Sequence, residues 1–92
     1  MEGCVEKQIL ASDRQINTLV REIFNRLGQG ARPGFVAGEL TWERYRHDSC
    51  VAEASISAGG SANPIEFGAC EVARNHTHLT DLKRLLQSVE VH

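Results

Sequence analysis

A chain of 92 residues has room for one domain. Its apolar share of 41% and charged share of 24% sit near globular averages and argue against a disordered tail. Net charge is −2, with 10 basic residues scattered among 12 acidic ones, so the basic face of a nucleic-acid binder is missing and that class is excluded.

No apolar run approaches the length of a membrane span. The start, MEGCVEKQIL, lacks the basic patch and apolar stretch of a signal peptide. It reads either as a mature segment carrying an added Met or as a chain that is not exported. Aromatics make up only 5% of the residues, so aliphatic side chains must build most of the core.

Val5, Ile9, Ile16, Leu19, Val20, Ile23, Phe24 and Leu27 recur at three- and four-residue steps, which predicts a first helix over about 5–27. Gly28 follows the last of them, where a left-handed cap suits glycine. Glu22 and Arg26 stand at i,i+4 on the exposed face. The stretch GQGARPG, Gly28 to Gly34, reads as a connection, with Pro33 acceptable in the first turn of the next helix.

A second helix is expected over about 35–57, apolar on two sides. Val36, Leu40, Val51 and Ala54 share one side, and Phe35, Trp42, Tyr45, Ala52 and Ile56 the other. Such a helix packs between two neighbours, so this one is expected at the centre of the bundle. Ala58 to Pro64 (AGGSANP) is the strongest breaker in the chain. A third helix follows over about 65–89, striped by Val72, Leu79, Leu82, Leu86 and Val89. No alternating run argues for a strand. The expectation is an all-α antiparallel three-helix bundle in one domain, residues 1–92.

The 3 cysteines are Cys4, Cys50 and Cys70. If the Gly59-Gly60 turn reverses the chain, Cys50 and Cys70 meet across the second and third helices. A bridge there would close a loop worth about 3 kcal/mol of chain entropy and would imply an oxidising compartment. The alternative is two small buried hydrophobes that never bond. Cys4 is then a free thiol or one that pairs between chains.

Trp42 and Arg46 lie one helical turn apart, so the guanidinium can cover the indole. Asp13 falls at the edge of the first helix's apolar stripe, where a carboxylate needs a partner. Arg46 is the candidate, with Asn17 as a local neighbour; together they read as a structural polar cluster. His76 and His78 point to different sides, His47 sits beside Glu43 on a solvated face, and His92 is terminal. No zinc-ligand spacing and no nucleophile, phosphate or dinucleotide motif occurs, so no metal, no cofactor and no enzyme activity are expected.

In order along the chain, Cys4, Asp13, Asn17, Trp42, Arg46, Cys50, Gly60, Ser61 and Cys70 form a set that resembles the lysozyme inhibitor LprI-like N-terminal domain family. The resemblance covers essentially the whole chain. It departs at His47, where the family has Asp, and at Asn75 and His78, which replace a usual Thr and Arg. Members often carry a cysteine upstream of the one matching Cys4, which would make Cys4 an orphan.

The resemblance implies a small helical protein of the bacterial envelope, periplasmic or secreted, whose protein partner is a lysozyme or another muramidase. The element that could reach that partner is the loop carrying Gly59, Gly60, Ser61 and Asn63, although the favoured reading of the two glycines is a plain helix reversal. Two further roles stand beside it. One is an assembly module that forms a homodimer or joins another envelope protein, and the other is an immunity protein against a cell-wall-degrading toxin.

Overall fold

Three helices form: α1 (Glu2–Arg26), α2 (Arg32–Ser57) and α3 (Pro64–Val91). The computed structural model describes residues 2–57 and 64–91, and no strand occurs among them. The second helix starts at Arg32, three residues before the expected Phe35, so Pro33 and Gly34 belong to its first turn. Proline is tolerated there because its missing N–H has no helical acceptor anyway.

Gly28 does not adopt the left-handed conformation expected of a cap. A side chain does that work instead. Arg32 Nε donates to the Phe24 carbonyl at 2.9 Å, Nη2 reaches the Asn25 carbonyl at 3.5 Å, and the guanidinium lies 4.6 Å from the Phe24 ring centroid. Those carbonyls are among the acceptors a helix end leaves open. Arg26 leaves Glu22 and pairs with Glu90 of α3 at 2.9 Å.

α1 and α3 run parallel, joined by contacts at a near-constant separation. Ser12 meets Asn75, 63 residues on, and Arg26 meets Glu90, 64 residues on. α2 runs antiparallel to both. A Cys50–Cys70 disulfide, with Cα atoms 5.5 Å apart, lies between α2 and α3.

The expected centre of the bundle is corrected: α3, not α2, packs against both other helices. The reason lies in the line of residues α2 turns toward α3. Phe35, Glu39, Trp42, Arg46, Ser49 and Glu53 recur at alternating four- and three-residue steps, and most are polar. Polar pairs and the disulfide hold this helix. Its apolar side chains Val36, Leu40, Tyr45, Val51 and Ile56 are consequently exposed.

The result is a long, flat molecule of 48 × 23 × 15 Å with a radius of gyration of 15.1 Å. A compact chain of this length would have a radius near 12 Å. The accessible surface, 6174 Å², exceeds the roughly 5,300 Å² expected for the mass.

The apolar core occupies one half of that length. Ile16, Ile23, Leu79 and Leu82 are buried, with Leu19, Val20, Leu27, Phe35, Trp42 and Leu86 packed around them. Moving away from the α1–α2 connection, the core gives way to polar side chains, then to the disulfide and a close approach of α1 to α3 at Gly68. A Cβ at Gly68 would lie 2.5 Å from Val5 Cγ1, so only glycine lets the helices come this near.

Candidate functional site

The polar layer is assembled by core-facing positions that carry polar residues. Val5, Ile9, Ser12, Ile16, Leu19 and Ile23 of α1 follow one alternating four- and three-residue line. Val72, Asn75, Leu79, Leu82, Leu86 and Val89 of α3 follow another. Ser12 and Asn75 therefore face each other where two apolar side chains would otherwise meet.

Asn75 is fully buried, and its Nδ2 donates to Ser12 Oγ at 2.8 Å and Asp13 Oδ1 at 3.0 Å. Ser12 passes its own proton to the Gln8 carbonyl at 2.8 Å. Arg46 Nη1 donates to Asp13 Oδ1 and to Asn75 Oδ1, both at 2.9 Å. Each helix thus contributes at least one member to a connected network.

Arg46 also faces Glu71, with Nε 3.6 Å from the carboxylate, too far for a hydrogen bond. Among the described residues that buried Nε finds no acceptor. One guanidinium consequently lies between two carboxylates in a partly desolvated layer, which strengthens each attraction over its value in water. The same guanidinium lies 5.2 Å from the Trp42 ring centroid.

Trp42 has a second partner. His78 stacks on it with ring centroids 3.8 Å apart and planes inclined by 9°. His78 Nε2 lies 2.8 Å from Glu39 Oε1. A carboxylate accepts, so Nε2 is the donor in this contact. Further along, Arg74 bridges to Glu53 and lies over the Tyr45 ring.

Of the residues singled out in the sequence, Asp13, Trp42 and Arg46 come together. Asn17 is exposed and takes no part in their hydrogen bonds; Asn75 occupies the place expected for it. Cys4 is an exposed free thiol. His47 does not pair with Glu43 but meets the Phe67 ring edge-on at 5.7 Å. Gly59, Gly60, Ser61, Asn63 and His92 lie outside the described residues.

Ser12, Glu39, Glu71, Asn75 and His78 were missed as site members. The signal for Ser12 and Asn75 was present, since each fills a gap in an otherwise apolar line.

At the start of α3 a groove opens between α1 and α3, lined by Val5, Glu6, Ile9, Phe67, Gly68 and Glu71. Among the described residues no group of three or more His, Cys, Asp or Glu side chains could hold a metal ion. No described helix is long and apolar enough to cross a membrane.

Fold and site together define a small disulfide-clamped three-helix protein whose central charges are tied to one another. The family described as "Lysozyme inhibitor LprI" matches residues 1–82, and the chain belongs to it. Comparison with curated proteins and with solved structures finds no significant match.

Proposed function

We propose that this protein binds and inhibits a lysozyme-type peptidoglycan hydrolase, outside the cytoplasm, in the periplasm or after secretion. The observation that carries this reading is the family match over residues 1–82. That family is one of inhibitors rather than catalysts, which accords with a non-enzymatic role. The disulfide supports an oxidising location.

The inhibitory segment is the stretch between α2 and α3 in the chain. The Cys50–Cys70 bridge joins the two helices that flank residues 58–63 in the chain, and the groove between α1 and α3 is lined by Val5, Ile9, Phe67 and Gly68 together with Glu6 and Glu71. A mildly acidic chain, with a net charge of −2, suits a basic enzyme, because opposite charge steers encounter. Gly59, Gly60, Ser61 and Asn63 are the residues proposed to contact the partner. Asp13, Trp42 and Arg46, now with Asn75, are proposed as the structural layer that holds the helices in register beneath them.

The test is the lysis rate of a peptidoglycan suspension by several lysozymes, titrated with the oxidised protein. A stoichiometric, saturable loss of lysis supports inhibition, and full-speed lysis at micromolar protein removes it.

A further inference from the structure

Charge is unevenly divided along the molecule. Beyond the Asp13–Arg46–Asn75 layer, on the disulfide side, residues 2–12, 47–57 and 64–74 hold 6 acidic and 2 basic residues, a net −4. The rest of the chain holds 6 acidic and 8 basic residues, a net +2, and the two together give the −2 of the whole. The groove between α1 and α3 opens in the acidic part. Its volume is about 190 Å³, below the roughly 300–1,000 Å³ of small-molecule pockets, so it suits a single long side chain.

The lining combines apolar contact with unsatisfied charge. Val5, Ile9 and Phe67 are half-buried. Glu6 is exposed and forms no ion pair among the described residues. The Glu71 side chain is only 16% exposed, yet among the described residues it accepts no hydrogen bond, because Arg46 Nε stands off at 3.6 Å. That guanidinium is already engaged by Asp13 at 2.9 Å. Helix N-termini attract acids, and Glu66 in the first turn of α3 is of that kind. Glu6 and Glu71 stand beyond the first turns of their helices, so the dipole does not account for them.

On the reading that this protein inhibits a basic peptidoglycan hydrolase, we propose that the groove takes one arginine or lysine side chain projecting from that enzyme. The alkyl stem lies against Val5, Ile9 and Phe67, and the cationic head meets Glu6 and Glu71. Long cationic side chains suit such a slot, since the stem buries against apolar surface while the head keeps polar partners. The incoming cation gives Glu71 the hydrogen bond it lacks, and a charge-assisted bond is stronger than a neutral one. An apolar occupant would strip water from that carboxylate and leave it unpaired. The groove is also continuous with the segment proposed to contact the enzyme, because Pro64 lines it and follows Asn63 directly in the chain.

The experiment is calorimetric titration of a basic lysozyme with the oxidised protein and three variants, each lacking one negative charge. Glu71→Gln lowers the affinity at least about tenfold, the loss of a largely desolvated charged hydrogen bond. Glu6→Gln, at an exposed carboxylate, lowers it about three- to fivefold. Glu43→Gln, on the exposed side of α2, stays within about twofold, which separates local contact from long-range steering. Unchanged helical circular dichroism checks each fold, and Glu6→Gln carries the test if Glu71→Gln disturbs the Arg46 layer.

If Glu6→Gln and Glu71→Gln bind as Glu43→Gln does, the inference is overturned and inhibition stands. A parent protein that binds no lysozyme removes the inhibitor reading instead, and n-butylguanidinium then tests the groove by itself. Saturable NMR shifts of the Val5 and Ile9 methyl groups with that cation, reduced in Glu71→Gln and absent with butyrate, support a slot for a basic side chain. No shifts, or equal shifts with butyrate, overturn it.

Discussion

Replacing Cys50 and Cys70 together by alanine, in a Cys4→Ser background, removes the covalent tie between α2 and α3. The bridge spans 20 residues, and loop-closure entropy for that length gives about 3 kcal/mol at 25 °C. A chain of 92 residues carries a total stability of about 5–14 kcal/mol, so the loss is a large share of it. At 4–8 °C per kcal/mol, the melting temperature should fall by about 12–24 °C.

The loss should also be uneven. α1 and α3 share the buried Ile16, Ile23, Leu79 and Leu82, whereas α2 is held largely by polar pairs such as Arg74–Glu53. Exposed pairs of that sort are each worth only about 0–1 kcal/mol. Thermal unfolding followed by circular dichroism gives the magnitude, and amide hydrogen exchange gives the location, with protection lost first in α2. A melting temperature within about 4 °C of the parent would refute the entropy argument. Equal loss of protection in α1 and α3 would refute the claim that α2 is the weakly held helix.

Three further substitutions probe separate features. Arg46→Ala removes the cation that both Asp13 and Glu71 approach; Asp13 is partly exposed, so the expected cost is about 3 kcal/mol, read from urea unfolding, and a cost below about 1 kcal/mol would contradict the ion-pair layer. Gly68→Ala drives a methyl into Val5 and should destabilise by about 1–3 kcal/mol despite alanine's better helix propensity. Adding Val5→Ala should recover part of that loss, and the double-mutant cycle fails if the two effects simply add. Arg32→Ala uncaps the Phe24 carbonyl and should cost about 1 kcal/mol, whereas Gly28→Ala should cost less, because Gly28 needs no left-handed angle.

The helices, their order and the disulfide were legible because spacing and breakers are local signals. Val5 to Leu27 and Val72 to Val89 declare their inner faces directly. α2 was misplaced for a physical reason: most of its apolar residues, Val36, Leu40, Tyr45, Val51 and Ile56, stay exposed, while the line it turns to α3 mixes Phe35 and Trp42 with the polar Glu39, Arg46, Ser49 and Glu53. A helix docked by charge and a disulfide does not advertise its contact face by hydropathy.

Asn75 and Ser12 show the opposite case. Each fills a regular core position, so a strict count of the spacing would have found them, whereas Asn17 was chosen for its nearness to Asp13 along the chain. His78 could not be assigned from sequence, since its partners Trp42 and Glu39 lie on another helix. The first turn of α2 was lost to the apparent looseness of GQGARPG, although Pro33 was compatible with a helix start.

The measurement that tests the inhibitor account most directly is calorimetric titration of a lysozyme with the oxidised protein, repeated with a soluble peptidoglycan fragment saturating the enzyme's cleft. The account predicts saturable binding that the fragment suppresses, because the disulfide-tethered end and the substrate compete for one cleft. Absence of binding at micromolar concentrations, or binding that the fragment leaves unchanged, would contradict it.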